Sequence, residues 1–191
     1  MKMLALARSV THRLARLVHD QRGVTAVEFA VLLPFMLTLY LGGVEVSQGV
    51  AMDRKVTMTV RAVADLAAQT TSISNSDMTN ILNAAAAVVA PYSSTLLQVK
   101  VSSVTINSQG QATIVWSDAL NTTPRTVGSS VTLPTALNVA STTVIWGEVT
   151  YAYTPTIGYV LTGTMNLSDK IYMRPRLSTC VTRVTNSGSV C

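Results

Sequence analysis

Side chains able to do chemistry are few in this chain, and their placement narrows what that chemistry is. The only two histidines, His12 and His19, lie near the amino terminus, whereas the two cysteines, Cys180 and Cys191, lie at the far end. A nucleophile–base centre needs its partners within hydrogen-bond reach. An apolar span between these residues, argued below, puts the histidines across a membrane from the cysteines. Two thiols with no histidine beside them fall short of the four ligands of a zinc site. No phosphate-cradling glycine loop and no Walker lysine are present. Asp53, Asp65, Asp77, Asp118, Glu148 and Asp169 are scattered, and read as solvated positions or caps rather than as an acid–base pair. Neither an enzyme nor a cofactor is expected. What remains is a carboxyl in an unusual place: Glu28, inside an apolar run. At membrane depth such a group costs a few kcal/mol on insertion scales and so marks function.

The element that must hold Glu28 is the stretch from Val24 to Val44, in which Glu28 is the single charge. As a helix it rises to about 30 Å, the thickness of a hydrocarbon core. A helix satisfies its own backbone groups, as a spanning segment must. Lys2, Arg8, Arg13, Arg16 and Arg22 precede it against one acid, Asp20, while nine basic residues face six acidic ones from Met52 onward. The formal charge of +5 is therefore mostly an N-terminal feature. That argues against a nucleic-acid surface and for a membrane flank, with residues 1–23 inside and everything after about residue 50 exported. A cleavable secretory signal fits less well, because the apolar run exceeds the usual length and Gly42-Gly43-Val44 leads into Glu45 rather than a small-residue exit. Hydrophobic residues make up 48% of the chain and charged residues 12%, with a mean hydropathy of +0.37. A disordered chain is thereby excluded.

The membrane entry carries a pattern. Gln21-Arg22-Gly23 is followed by Val24-Thr25-Ala26-Val27-Glu28-Phe29, so that Glu28 is the fifth and Phe29 the sixth residue after Gly23. A basic leader ending in Gly, four small or apolar residues, then Glu and an aromatic resembles the processing site of type IV prepilins. The longer run RGVTAVEFAVLLPF, followed by LGGVEV, resembles the TadE/TadG-like proteins of tight-adherence (Flp, type IVb) pilus systems. Glu28, Phe29, Pro34 and Glu45 occupy the places of that family's Glu-Phe pair, its proline within the apolar run and its second Glu. The likeness is concentrated in residues 20–55; Tyr172-Met173-Arg174-Pro175-Arg176 resembles a run in relatives.

The resemblance implies a membrane aspartyl prepilin peptidase acting between Gly23 and Val24. Gly23 suits close approach of an enzyme to the backbone, since no side chain intervenes. It also implies that Glu28 pairs with the new ammonium at Val24 of a staggered neighbour, setting the register between helices. A plainer reading stands beside it: Glu28 sits at the headgroup boundary and favours the positive helix N-terminus. Pro34 is expected to kink or loosen the span. Gly42 and Gly43 allow close packing, and Glu45 is expected either to snorkel to water or, less simply, to form an ion site.

Beyond the span, Val46, Val50, Val56, Val60, Val63 and Leu66-Ala67 recur at three-to-four spacing, an amphipathic continuation to about Ala68. A short helix is expected over residues 78–90, capped by Ser76 or Asp77 and ended by Pro91. Val99 and Val101, then Val104 and Ile106, alternate with polar residues, and the phase change at Ser102-Ser103 predicts a bulge. Asn107–Gly110 is a turn leading to Ala112, Ile114 and Trp116, which makes a hairpin. Residues 119–141 read as a surface loop, 143–153 as a third strand and 170–174 as a fourth. In an oxidising compartment Cys180 and Cys191 are expected to form a disulfide, worth about 2–3 kcal/mol for a loop this short.

The fold class is therefore α+β: an N-terminal transmembrane helix extending into an amphipathic helix, then a small exported domain with a short helix and an antiparallel sheet. The organisation is a basic cytoplasmic leader (1–23), a transmembrane helix (24–50), a helical stalk with a short helix (51–91) and an exported β-rich domain (92–191). By resemblance the expected function is a TadE-like minor pilin or pseudopilin. It would act through helix packing, in the bacterial inner membrane with its C-terminal domain periplasmic and, after assembly, in the pilus. Its partners would be the lipid bilayer, other pilins or pseudopilins, the inner-membrane pilus machinery and the prepilin peptidase, with no nucleic acid. An uncleaved, membrane-anchored periplasmic scaffold is the alternative.

Overall fold

The computed structural model describes residues 22–155, 157–158 and 162–191; the basic leader over residues 1–21, with both histidines, lies outside them. A single helix, α1, runs from Arg22 to Ala68, 47 residues in all. At the usual rise per residue it is about 70 Å long. It continues through Pro34, where Thr38 donates its hydroxyl to the Pro34 carbonyl at 2.8 Å. Burial along α1 changes abruptly. From Gly23 to Tyr40 every residue is exposed. From Glu45 the buried positions are Met52, Val56, Thr59, Val60, Val63, Ala64, Ala67 and Ala68, one stripe at three-to-four spacing. The amphipathic continuation read from the sequence is thus the half of α1 that builds the core.

A second helix, α2 (Asn75–Val89), packs antiparallel to that half, burying Met78, Ile81, Ala85 and Val89. Its cap is Ser74 rather than Ser76 or Asp77. The Ser74 hydroxyl accepts from the Asp77 amide, while the Asp77 carboxylate accepts from the Ser74 amide at 2.9 Å, a reciprocal capping box. Asp77 is therefore the third helical residue of the box. At the other end Lys55 donates to the carbonyls of Val88 and Ala90, a cation placed at the negative end of α2.

Among the described residues eight strands complete the fold, in chain order β1 (Ser72–Ile73), β2 (Leu97–Ile106), β3 (Ala112–Leu120), β4 (Ser130–Val131), β5 (Thr142–Tyr153), β6 (Met165–Met173), β7 (Thr182–Thr185) and β8 (Gly188–Val190). The main sheet is antiparallel, ordered β4-β3-β2-β5-β6. The expected fourth strand over 170–174 is the end of β6, which begins at Met165, and the expected loop over 119–141 contains β4. Leu97, Val99 and Val101 of β2, with Ile145, Val149, Tyr151 and Tyr153 of β5, face α1 and α2. At the centre Gly147 lets the helix close on the strand. A β-carbon there would lie 3.1 Å from that of Ala64 and 3.3 Å from Val60 Cγ2.

The phase change in β2 has a different cause from the one expected. Pairing of β2 with β5 is unbroken from Leu97–Tyr151 to Ile106–Thr142. Val104 and Ile106 switch phase because they bury the opposite face, in a second core with Ala112, Ile114, Leu133, Val144 and Trp146. A register shift does occur, but the extra residue is Val115 in β3: Ser103 pairs with Trp116 and Val104 with Ile114.

The smaller sheet, β1-β7-β8, has no counterpart in the sequence expectations. Its parallel pair joins Ser72 to Thr182 and Ile73 to Arg183, so the chain's last residues return to the end of α1. There the Arg176 amide donates to the Ala68 carbonyl at 2.9 Å, satisfying one of that helix's terminal acceptors.

Candidate membrane and assembly site

The exposed part of α1 runs from Gly23 to Tyr40. At the helical rise it is about 27 Å long. Phe35 is 73% exposed and Leu39 75%, within a run of exposed Val, Leu, Phe and Met side chains. An apolar surface of this extent is a site of contact with lipid or protein. Mean hydropathy over its best window is 1.9, and α1 is the one described helix long and apolar enough to cross a membrane. By length and composition this helix is suited to anchor the protein in a membrane.

Gly23, Val24, Glu28, Phe29 and Pro34 all lie on this segment. Gly23 and Val24 are the second and third described residues of α1. A β-carbon at Gly23 would meet nothing within 4 Å. Glu28 is exposed and enters no ion pair among the described residues. By helical periodicity Val24, Glu28, Val31 and Phe35 share one side. On that side Val31, Pro34, Phe35, Thr38 and Leu39 line a shallow apolar groove of about 250 Å³. A carboxyl thus stands at one end of an exposed apolar track.

Glu45 is placed elsewhere. It stands about 25 Å from Glu28 along the helix axis, so the two belong to separate sites. It is only 1% exposed, where snorkelling would have carried it to water. Burial along α1 begins at Leu41, and Glu45 is its first fully buried residue. Tyr153, at the end of β5, is close enough for burial, Tyr92 and the Glu45 charge to push its hydroxyl pKa upward.

Arg125 and Arg183 carry no signal in the sequence, and the structure gives both a partner. Asp118 and Glu148, read as solvated, are ion-paired. Arg183, 6% exposed, donates to both carboxylate oxygens of Asp118 at 2.8 and 3.0 Å and to the carbonyls of Ile73 and Val184. Arg125 grips Glu148 through two bonds of 2.8 Å. The same guanidinium lies 3.8 Å from the centre of the Trp146 ring, a cation over an aromatic face. Arg176 pairs with Asp65 at the end of α1. These are structural clamps, because each carboxylate is neutralised by its own cation. Cys180 and Cys191 are joined by a disulfide, with α-carbons 5.8 Å apart, closing the segment that holds β7 and β8. No group of three or more metal-ligating side chains occurs among the described residues.

The model of the TadE-like protein family matches residues 23–65, nearly the whole of α1 and none of the sheet. The likeness read from Gly23, Glu28, Phe29, Pro34 and Glu45 is therefore found independently over that helix. No curated protein and no solved structure matches the chain. The protein is thus similar to TadE-like proteins, and so to components of tight-adherence pili, through its membrane helix.

Proposed function

We propose that this protein is a minor pilin or pseudopilin of a tight-adherence pilus, inserted by the apolar half of α1, cut between Gly23 and Val24 and then packed beside other subunits. The observation that carries this reading is the exposed track of α1, which bears Glu28 near its start and lies within the TadE-like match. Cleavage by a membrane prepilin peptidase on the cytoplasmic side creates an ammonium at Val24. Glu28 of one subunit then meets Val24 of a neighbour. In a low-dielectric surrounding an unpaired carboxylate is costly, so one axial stagger is favoured over others. Apolar side chains such as Val31 and Phe35 supply contact area without register, and the charge pair supplies register. The exported domain, held rigidly on the upper half of α1, is carried along as cargo in the periplasm.

The test is the N-terminus of protein extracted from bacterial membranes. An intact mass beginning at Val24 is expected, and Gly23→Leu should leave the full-length chain. A mass beginning at Met1 in the native protein, or normal trimming in the Gly23→Leu variant, would replace this reading with that of an uncleaved, membrane-anchored scaffold.

A further inference from the structure

Helix α1 and strand β5 run side by side in opposite directions. Gly147 packs at the level of Val60 and Ala64, and Tyr153 at the level of Gly49. The step from Gly147 to Tyr153 along β5 and the matching step along α1 both cover about 20 Å. Strand β5 therefore descends toward the membrane as α1 leaves it. The same end of the sheet holds the start of β2, since Leu97 pairs with Tyr151, and the end of β3, since the Asn121 side chain bonds the carbonyls of Ser94 and Leu97.

A hydrocarbon core of about 30 Å needs about 20 helical residues. Counted from Val24 it extends to about Val44, yet burial of α1 already begins at Leu41, and Tyr153 of the domain lies against Gly49. The domain's lower rim is thus level with the outer boundary of the bilayer. Its chemistry matches that depth. The connection 91–96, the first residues after β3 (121–124) and the described residues between β5 and β6 lie at this end and contain no Asp, Glu, Lys or Arg; Arg125, next in the chain, is turned back onto Glu148. They are rich in Thr and Ser, and Leu96 and Ile157 stand 44% and 47% exposed. The charged residues of the sheet begin further up, with Asp169 opposite Val149 and then Lys100, Glu148 and Lys170 paired across the strands one step above.

We infer that this uncharged rim is a second membrane contact: Leu96 and Ile157 dip among lipid headgroups and seat the exported domain flush on the outer surface of the bilayer. The inference rests on the membrane-anchor reading of α1. Hydroxyl-rich connections tolerate the headgroup layer, where an exposed charge at the same depth is disfavoured and an exposed Leu or Ile is favoured. The seat also explains why Glu45 is enclosed: it lies where the domain, the helix and the interface meet.

Brominated lipid quenches an indole on contact, and the native Trp116 and Trp146 are both buried, which gives a quiet background. Full-length protein would be reconstituted in phosphatidylcholine vesicles with and without brominated acyl chains, bearing Leu96→Trp, Ile157→Trp, Tyr40→Trp or Val139→Trp. Val139 lies at the opposite end of the sheet, beside the start of β5. Expected is a loss of about half of the added emission for Leu96→Trp and Ile157→Trp, as befits an interfacial side chain, with Val139→Trp unchanged. Tyr40→Trp, on the exposed helix, reports the anchor itself. If it is quenched while Leu96→Trp and Ile157→Trp behave like Val139→Trp, the rim contact is refuted and the anchor stands. If Tyr40→Trp is not quenched either, both fall together.

Discussion

At the scale of single residues, two charged side chains are buried or set in apolar surroundings for opposite ends. Arg183 is enclosed and makes four hydrogen bonds, to Asp118, Ile73 and Val184, which tie β7 to β3 and to β1 at once. Its charge is spent inside the fold. Glu28 has no such partner among the described residues, and its apolar neighbours on α1 have none either. A group left in that state is completed by another molecule. Glu28→Ala is accordingly expected to leave membrane insertion and trimming at Gly23 intact while sharply reducing assembled pili, scored by electron microscopy of sheared fibres. Normal pili in that variant would end the register argument. Glu28 was legible in the sequence because a lone acid in an apolar run is conspicuous. Arg183 was not, because an arginine among threonines reads as surface until the fold brings the distant Asp118 against it.

At the scale of elements, α1 and β5 approach closely at Gly147. Gly147 permits it, since any side chain at that position must displace Val60 and Ala64. Gly147→Val is expected to destabilise the domain by about 1–3 kcal/mol through overpacking, read as a lower urea midpoint at unchanged slope. A different force sets the start of α2. Hydrogen bonds from the Ser74 hydroxyl and amide hold the Asp77 carboxyl below its usual pKa of 3.8. A carboxyl with a lowered folded-state pKa contributes stability above its unfolded value and loses it as pH falls through the folded one. The stability gap between wild type and Asp77→Asn should therefore be full near neutrality and shrink below about pH 4, measured by thermal unfolding across that range. A gap independent of pH would show the box to be energetically silent. Helix α2 was legible from its alanine-rich run. Its cap differs from the expected one because Ser74, Ser76 and Asp77 are all competent cap formers, and only the backbone conformation at Ser74 selects among them.

At the scale of the whole molecule, α1 divides into an exposed apolar half and a half that builds the core. Residues 23–40 are all exposed, whereas residues 45–68 supply the wall on which the sheet is built. Deleting residues 1–40 is therefore expected to leave a water-soluble domain that keeps its cooperative thermal transition. A cut that also removes residues 41–60 should abolish folding, because Met52, Val56 and Val60 leave with it. Circular dichroism with analytical ultracentrifugation distinguishes the two outcomes. An aggregated product from the shorter deletion would show that the upper half of α1 does not close the core by itself.

Periodicity and local chemistry decided much of this architecture in advance. Apolar length set the span, three-to-four spacing set the core stripe of α1, and alternation with a turn at Asn107–Gly110 set the first hairpin. Each is a property of neighbours along the chain, so a window of a few residues contains it. The two cores on opposite faces of β2, the bulge at Val115, the return of β7 to β1 and the enclosure of Glu45 depend on residues far apart in sequence. The energies that settle them, burial against a distant strand or a shared carboxylate, exist only once the chain has closed on itself.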